Sequence, residues 1–289
     1  MKNRNLLLVV GVLFIIALLY TYFTERDKID PEKPNENLAV TFLNVGQGDS
    51  SFIEFPNGKC MLIDASTSGE GERVCNHIAA KGYTKIDYLV ATHPHTDHIG
   101  GMKYVTDYFE IGTVYLPDAP SSTATYKNFL KALKSGGADV KKAKSGAEFS
   151  EGDVKVEILT PISESYEDLN NYSAVVKVTY NKKSFLFTGD AEELVETELL
   201  DNGADLKADV LKVGHHGSSS STSQAFLDAV DPEIAIISCG KDNDYGHPHK
   251  EVLNRLENAD IKVYRTDVNG DIPIVSNGLE VSNYYDLYN

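Results

Sequence analysis

The sequence predicts a layered α+β/α/β domain, sheets covered by helices, placed after a short apolar N-terminal segment. Three observations carry this expectation. Strand-patterned runs come first as a meander and later alternate with helical runs. Residues 38–289 are long enough for one large domain with a substantial core. Several of the apolar strand runs end directly at histidine or aspartate, so that a rigid sheet would hold these side chains at its edge.

Residues 6–23 form an apolar run interrupted only by Gly11, Tyr20, Thr21 and Tyr22, close to the ~20 residues that span a bilayer as a helix. Lys2 and Arg4 precede it, which keeps the N-terminus cytoplasmic and sends the rest across. A cleaved signal peptide is the rival reading. However, the stretch from Thr21 to Arg26 offers no small-x-small cleavage site and no cysteine for lipidation. Residues 1–24 are therefore expected to be an uncleaved single-pass anchor with the domain extracytoplasmic, or a secreted domain if the segment is cleaved. Residues 25–37, charged and carrying Pro31 and Pro34, suit an extended linker.

In the domain, strands are expected over 38–45, 51–55 and 59–64, a helix over 72–81, and a strand over 87–91 that runs into the first histidine cluster. A helix over 101–109, a strand over 113–116 and a helix over 126–134 follow. Strands return over 154–160, 173–180 and 184–188, then a helix over 192–201 and a strand over 210–213. A helix over 223–230, a strand over 233–238, a helix over 250–258 and strands over 262–265 and 272–275 complete the order. Neither a repeat nor a low-complexity tract interrupts it.

The net charge of −16 falls wholly on this domain, because residues 1–37 balance. Such a charge counts against tight sequence-independent binding to polyanions, which needs Lys and Arg at the phosphates. It does not exclude chemistry on phosphodiesters, since bound metal supplies local positive charge. Cys60, Cys75 and Cys239 are odd in number and widely spaced, so a disulfide framework is not expected. Cys60 and Cys239 sit in apolar runs and read as buried free thiols.

Seven of the eight histidines fall into three clusters: His93-Pro94-His95-Thr96-Asp97-His98, His215-His216, and His247-Pro248-His249. Imidazoles and a carboxylate at HxHxDH spacing form the donor set that suits zinc and similar divalent ions. Asp190 ends one strand-patterned run and His215-His216 follow another, so ligands distant in sequence can converge at neighbouring strand ends. His77 stands alone on a helix and reads as structural. His247 and His249 either line a substrate groove or precede a helix begun near Pro248. The run Ser218 to Ser221 either binds phosphate or is a solvated loop. Gly46, Gly48 and Gly100 suit turns of positive φ or close backbone approach. Asp49 is expected to hydrogen-bond in that turn or behind the ligands.

The chain resembles the metallo-β-lactamase-fold hydrolases, and more narrowly the hydrolase domain of ComEC-type DNA-uptake proteins and their free-standing relatives. Beyond HxHxDH followed by Gly100-Gly101, the resemblance rests on several strings in family order. These are Phe42-Leu43-Asn44-Val45-Gly46-Gln47-Gly48-Asp49-Ser50, Leu62-Ile63-Asp64, Asn170-Asn171-Tyr172-Ser173, Thr188-Gly189-Asp190, Lys212-Val213-Gly214-His215-His216-Gly217-Ser218 and Asn243-Asp244-Tyr245-Gly246-His247-Pro248. It implies a four-layer αββα sandwich with two metal ions, usually zinc, at one edge of the sheets. His93 and His95 would hold one ion and Asp97 and His98 the other, with Asp190 bridging and His216 completing the second site. Asp97 would also orient the attacking water, His215 would contact the phosphate or brace a ligand, and Asp64 would brace the histidine loop. Asn171, Ser218 and His247 would line the substrate groove. One departure stands out: no histidine lies between His98 and Asp190, where many relatives place one. One ion would then have only His93, His95 and Asp190 with water, which sets manganese beside zinc.

The implied activity is extracytoplasmic hydrolysis of phosphodiester or phosphoester bonds by a metal-activated hydroxide at a dinuclear site. The membrane and a phosphoester substrate, DNA included, are the expected partners, and no protein partner is inferable. The acidic charge suits a small phosphoester better than a long polyanion. Hydrolysis of carboxyl esters, lactones or lactams, and a metal-bearing module that binds nucleic acid or cell-wall polymer, are the alternatives.

Overall fold

Alternation of inward and outward side chains along short strands builds the domain. A computed structural model describes residues 36–288, so the expected anchor and nearly all of the linker lie outside the described residues. In chain order the first half comprises β1 (Leu38–Phe42), β2 (Ser51–Glu54), β3 (Cys60–Ile63), α1 (Gly71–Ala80), β4 (Lys85–Val90), α2 (Thr96–Ile99), α3 (Met102–Tyr108), β5 (Glu110–Leu116), α4 (Ala124–Gly136) and β6 (Asp139–Lys142). The second half comprises β7 (Ala147–Glu151), β8 (Val154–Ile158), β9 (Val176–Tyr180), β10 (Lys183–Phe187), α5 (Glu193–Asp201), β11 (Val210–Lys212), α6 (Gln224–Val230), β12 (Ile234–Ile237), α7 (Lys250–Asn258), β13 (Lys262–Arg265), α8 (Thr266–Asn269), β14 (Ile272–Ser276) and β15 (Val281–Asn283). Among the described residues no helix is long and apolar enough to cross a membrane.

One sheet runs β15-β14-β1-β2-β3-β4-β5-β6 and the other β13-β12-β11-β10-β9-β8-β7. Each has an antiparallel half and a parallel half: β3 to β6 are parallel in the first, β10 to β13 in the second. Parallel neighbours need crossovers, and the helices supply them. Along β3, Met61 and Ile63 enter the core between the sheets, while Cys60 and Leu62 meet the outer helices. In β10, Phe185 and Phe187 point inward and Leu186 outward. Phe187 stacks on Phe42 across the core, with ring centroids 5.7 Å apart.

The helices carry apolar faces at helical spacing. Tyr126, Phe129 and Leu133 of α4 and Val74 and Ile78 of α1 cover the first sheet. Val195 and Leu199 of α5, Phe226 and Val230 of α6, and Val252 and Leu256 of α7 cover the second. The result is the αββα sandwich. Thr123 caps α4 by accepting the Tyr126 N–H at 3.2 Å, and Gly137 ends it in the left-handed region at φ 73°.

The structure departs from the expected elements at the sheet edges. β6, β7 and β15 were not legible as strands, and each is an edge strand. β6, Asp-Val-Lys-Lys, is exposed throughout, so no buried face imposes a period of two on its sequence. Such charged edges also discourage pairing with a second chain. Residues 43–45, expected to continue β1, instead open a loop closed by the Leu43 N–H to the Ser50 carbonyl at 2.9 Å. The cysteines are free and buried, and burial pushes the thiols of Cys60 up to about 12 and of Cys75 and Cys239 to about 11.

Phe185→Ala would open a cavity between the sheets and should cost about 3–5 kcal/mol in urea unfolding. Lys141→Ala on the exposed β6 should stay within about 0.5 kcal/mol.

Candidate metal centre

The parallel halves of the two sheets lay the C-terminal ends of their strands along one edge, and the loops at those ends carry the polar side chains. Asp64 follows β3, the histidine loop follows β4, Asp190 follows β10 and His215-His216 follow β11. The β1–β2 loop adds Gln47 and Asp49. Gly48 makes this possible: a Cβ there would lie 2.5 Å from the Asp97 carbonyl oxygen, so only glycine lets the two loops meet. The Asp49 N–H then donates to that carbonyl at 3.1 Å.

Three of the polar residues hold left-handed backbone conformations: Asp64 at φ 58°, His215 at 47° and His216 at 55°. Each costs about 1–3 kcal/mol for a non-glycine residue and persists only where the surroundings enforce it. At residues 215 and 216 it turns both imidazoles back towards the strand ends.

The side chains converge on Asp190, which is buried. Its Oδ2 lies 3.2 Å from His98 Nε2, 3.5 Å from His216 Nε2, 3.8 Å from His215 Nε2 and 3.9 Å from His93 Nε2. Asp97 Oδ2 is 3.3 Å from His216 Nε2 and 3.9 Å from His98 Nε2. Donor atoms of Asp97, His98, Asp190 and His216 all fall within 4.8 Å of one another. His93 Nε2 and His95 Nδ1 are 3.0 Å apart. The first group is a candidate metal cluster among the described residues; His93 and His95 lie together beside it.

The donors fit metal ions by a second criterion. His98 Nε2, His216 Nε2 and Asp190 Oδ1 are buried without a hydrogen-bond partner, a costly condition for a polar atom unless a cation satisfies it. Their distal atoms, by contrast, are secured. His98 Nδ1 meets Asp64 Oδ2 at 2.7 Å, and His216 Nδ1 meets the Ser238 carbonyl at 2.9 Å and Asp49 Oδ1 at 3.3 Å. Asp64 in turn accepts the Thr92 N–H at 2.8 Å and its hydroxyl at 2.6 Å. With Nδ1 so engaged, Nε2 of each ring is aimed at the centre.

The electrostatics favour a cation. Burial opposes charge on His98 and His216, yet Asp190 together with Asp64 or Asp49 raises both pKa values well above the ordinary imidazole value. A field that stabilises an imidazolium stabilises a metal ion in the same way. His93 goes the other way: burial and the neighbouring His98 push it well below, which favours the neutral imidazole that a metal requires. Asp190 is held well below the usual carboxylate range, His216 and His98 outweighing its burial.

Two buried charges were not legible as a pair. Lys212, at the end of apolar β11, reaches Asp49 at 2.5 Å, and both are buried. Burial alone would raise the Asp49 pKa, but Lys212 and His216 bring it below the ordinary value. A lysine in a buried strand was the available signal, since it demands an anionic partner.

A cavity of about 300 Å³ opens over the donors, lined by Gln47, Thr96, Asn170, Tyr245 and His247 together with the cluster itself. His247, expected in the groove, lies there; burial, His216 and His215 depress its pKa to about 4. Asn171 and Ser218, also expected there, do not line it. Asn171 Oδ1 accepts the Glu192 N–H at 3.3 Å, and Ser218 Oγ pairs with Ser220 Oγ at 3.0 Å. The physical reason for the first is the 3₁₀ turn Leu169–Tyr172, which turns each successive side chain by about a third of a circle; Asn170 takes the wall instead. His215 points Nε2 towards Asp190, with Nδ1 between Ser220 Oγ at 3.2 Å and Glu192 Oε1 at 3.4 Å. His249 stays outside, holding Ser219 and the Tyr245 carbonyl, and His77 packs edge-on to Phe52.

Fold and donor set define the class. Residues 43–241 match the metallo-beta-lactamase superfamily, and the chain belongs to it. Its relatives include ComE operon protein 3 of Bacillus subtilis, 34% identical over 250 residues, which cover 81% of this chain and 32% of that protein. Competence protein ComA of Neisseria gonorrhoeae is 32% identical over 257 residues, 88% of this chain and 34% of that protein. The chain thus spans about a third of the length of these competence proteins. Among solved structures, the metallo-beta-lactamase fold protein YhfI from Bacillus subtilis superposes with a TM-score of 0.57 at 12% identity, covering 83% of this chain and 99% of that one. That likeness is one of fold.

Two outcomes are expected. Asp64→Asn should weaken metal binding about 10–100-fold by loosening His98, read by titration with a chromogenic chelator. Lys212→Met should cost about 3–5 kcal/mol in chemical unfolding by stranding Asp49, and the double variant Asp49→Asn/Lys212→Met should recover much of it.

Proposed function

We propose that the domain is a metal-dependent hydrolase of phosphodiester or phosphoester bonds, carried on the extracytoplasmic side of the membrane by the apolar segment at residues 6–23. The observation that carries the reading is the convergence of unpartnered Nε2 and Oδ1 atoms on Asp190 beneath an open polar cavity. His93, His95 and Asp190 would hold one ion, and Asp97, His98, Asp190 and His216 the other. The chemistry such ions supply when bound is the polarisation of water and the neutralisation of charge on phosphoryl oxygens.

The chain's own residues do the positioning. Asp97, partly exposed at the cavity floor, accepts a hydrogen bond from the attacking water and orients it. His215 presents Nε2 to the cavity while Ser220 and Glu192 hold Nδ1; from there it can hand a proton to the leaving oxygen. Gln47 and Asn170 offer amide donors to the non-reacting oxygens.

The wall chemistry supports a phosphoester over the alternatives. Among the described residues the cavity lining has no Leu, Ile, Val or Phe to receive an acyl chain and no Lys or Arg for a carboxylate held away from the ions, whereas the phosphoryl group of a phosphoester would lie on the ions themselves. DNA is included in the proposed substrate class because a relative is named as a competence protein. Zinc and manganese both suit a donor set of imidazole and carboxylate.

The test is a metal analysis and a substrate panel on the purified full-length protein. About two ions per chain are expected, with turnover of a generic phosphodiester and of DNA and none of a lactam. His95→Ala and Asp97→Ala should each lower the rate about a hundredfold or more. Equal turnover by wild type and variants would refute the assignment, and one ion per chain would refute the dinuclear site. Protease accessibility on intact cells tests the topology: a protected domain would overturn it.

A further inference from the structure

The loop from β12 to α7 is built as a closed hydrogen-bonded unit. Asn243 Oδ1 accepts the N–H groups of Tyr245 and His247 at 3.2 and 3.0 Å, and its Nδ2 donates to the carbonyls of Gly240 and His247 at 2.8 and 2.6 Å. His249 fixes it from below. Its Nδ1 accepts the Ser219 N–H at 2.9 Å, which leaves Nε2–H to donate to the Tyr245 carbonyl at 3.2 Å.

The rigid loop holds a large ring out in water. Tyr245 is 66% exposed, and one face of its ring stacks on His247 with centroids 5.6 Å apart and planes 22° from parallel. No other aromatic ring lies against it among the described residues, and its hydroxyl takes no hydrogen bond. His247 is itself stacked over His216, with centroids 6.2 Å apart. The rings therefore form a short column from the metal donors to the rim of the cavity, and both Tyr245 and His247 line that cavity.

We propose that Tyr245 is a stacking platform for a nucleobase attached to the phosphate held in the cavity, so that the substrate is a nucleotide or a polynucleotide strand. The inference rests on the phosphoester reading and narrows it. A flat open ring face accepts a base irrespective of its sequence. Asp242 and Asp244, exposed on the Tyr245 loop, outnumber the exposed Lys241 there, and this net negative charge disfavours a phosphate on the outer side and so favours the base there and the phosphate inside. A quaternary ammonium is the other guest of aromatic rings. It is better served by a cage of several faces, whereas the parallel rings here present a single face.

The chain contains no tryptophan, so Tyr245→Trp in the full-length protein places a lone indole at the platform. In the presence of a chelator, a short oligothymidylate should quench its emission saturably, and an abasic strand of equal length should not. In the metal-loaded protein, Tyr245→Ala should raise KM for oligothymidylate about ten- to hundredfold with kcat little changed. KM for glycerophosphocholine should not move, and Tyr245→Phe should restore the wild-type value. An unquenched indole, an unchanged KM in Tyr245→Ala, or quenching by phosphocholine in place of oligothymidylate would each overturn the platform. The two readings fail separately. A wild type that hydrolyses no phosphoester while the indole is still quenched by oligothymidylate removes the hydrolase reading and keeps the platform; active enzyme with a neutral Tyr245→Ala does the reverse.

Discussion

Asp190 is the carboxylate on which the site is built. It is buried, and its Oδ2 lies within 3.9 Å of Nε2 atoms from His93, His98, His215 and His216. A lone carboxylate in that position would be expensive. The imidazoles, and the cations they are arranged to bind, make it tolerable. The carboxylate in turn keeps imidazoles that burial would otherwise discharge in a cation-favouring field. Asp64, Asp49 and Lys212 extend the same logic outward, each satisfying the far side of a group that faces the centre or the charge of one that does.

This density of charge is held by a frame with little freedom. Three apolar layers, one between the sheets and one under each set of helices, secure the strand ends. The left-handed backbone at Asp64, His215 and His216 stores strain of about 1–3 kcal/mol per residue, which a core of this size can offset. Strain and burial together leave the donors where a metal needs them before one binds, which limits the reorganisation that binding must drive.

The charge of −16 and a polynucleotide substrate are reconciled by where recognition happens. Among the described residues the cavity lining carries imidazoles but no Lys or Arg, so phosphate attraction there falls to the histidines and bound metal, and affinity beyond it must come from neutral contacts. Stacking on Tyr245 is such a contact, insensitive to the acidic surface. On the proposed reading, such a protein would act on a strand delivered to it and would not draw one in from a distance by charge, because long-range steering needs a basic field.

The sequence by itself determined the layered architecture, most of the buried strands and helices, and Asp97, His98, Asp190 and His216 as candidate metal donors, which the fold brings together. Buried strands and amphipathic helices write their periods into the chain, and HxHxDH needs no tertiary partner to be recognised. Edge strands left less trace: β6 is exposed on both faces and selects no period, while β7 and β15 set only Ala147, Phe149 and Val281 against the core, too few apolar residues to mark a strand. The exchange of Asn170 for Asn171 at the cavity wall was settled by the pitch of a 3₁₀ turn, a rotation that sequence spacing does not report. The Asp49–Lys212 pair joins residues far apart in the chain, and only the juxtaposition of the β1–β2 loop with β11 creates it. The column of His216, His247 and Tyr245 likewise exists only in three dimensions. Ring stacking depends on where a folded loop points its side chains, and tertiary contacts decide that.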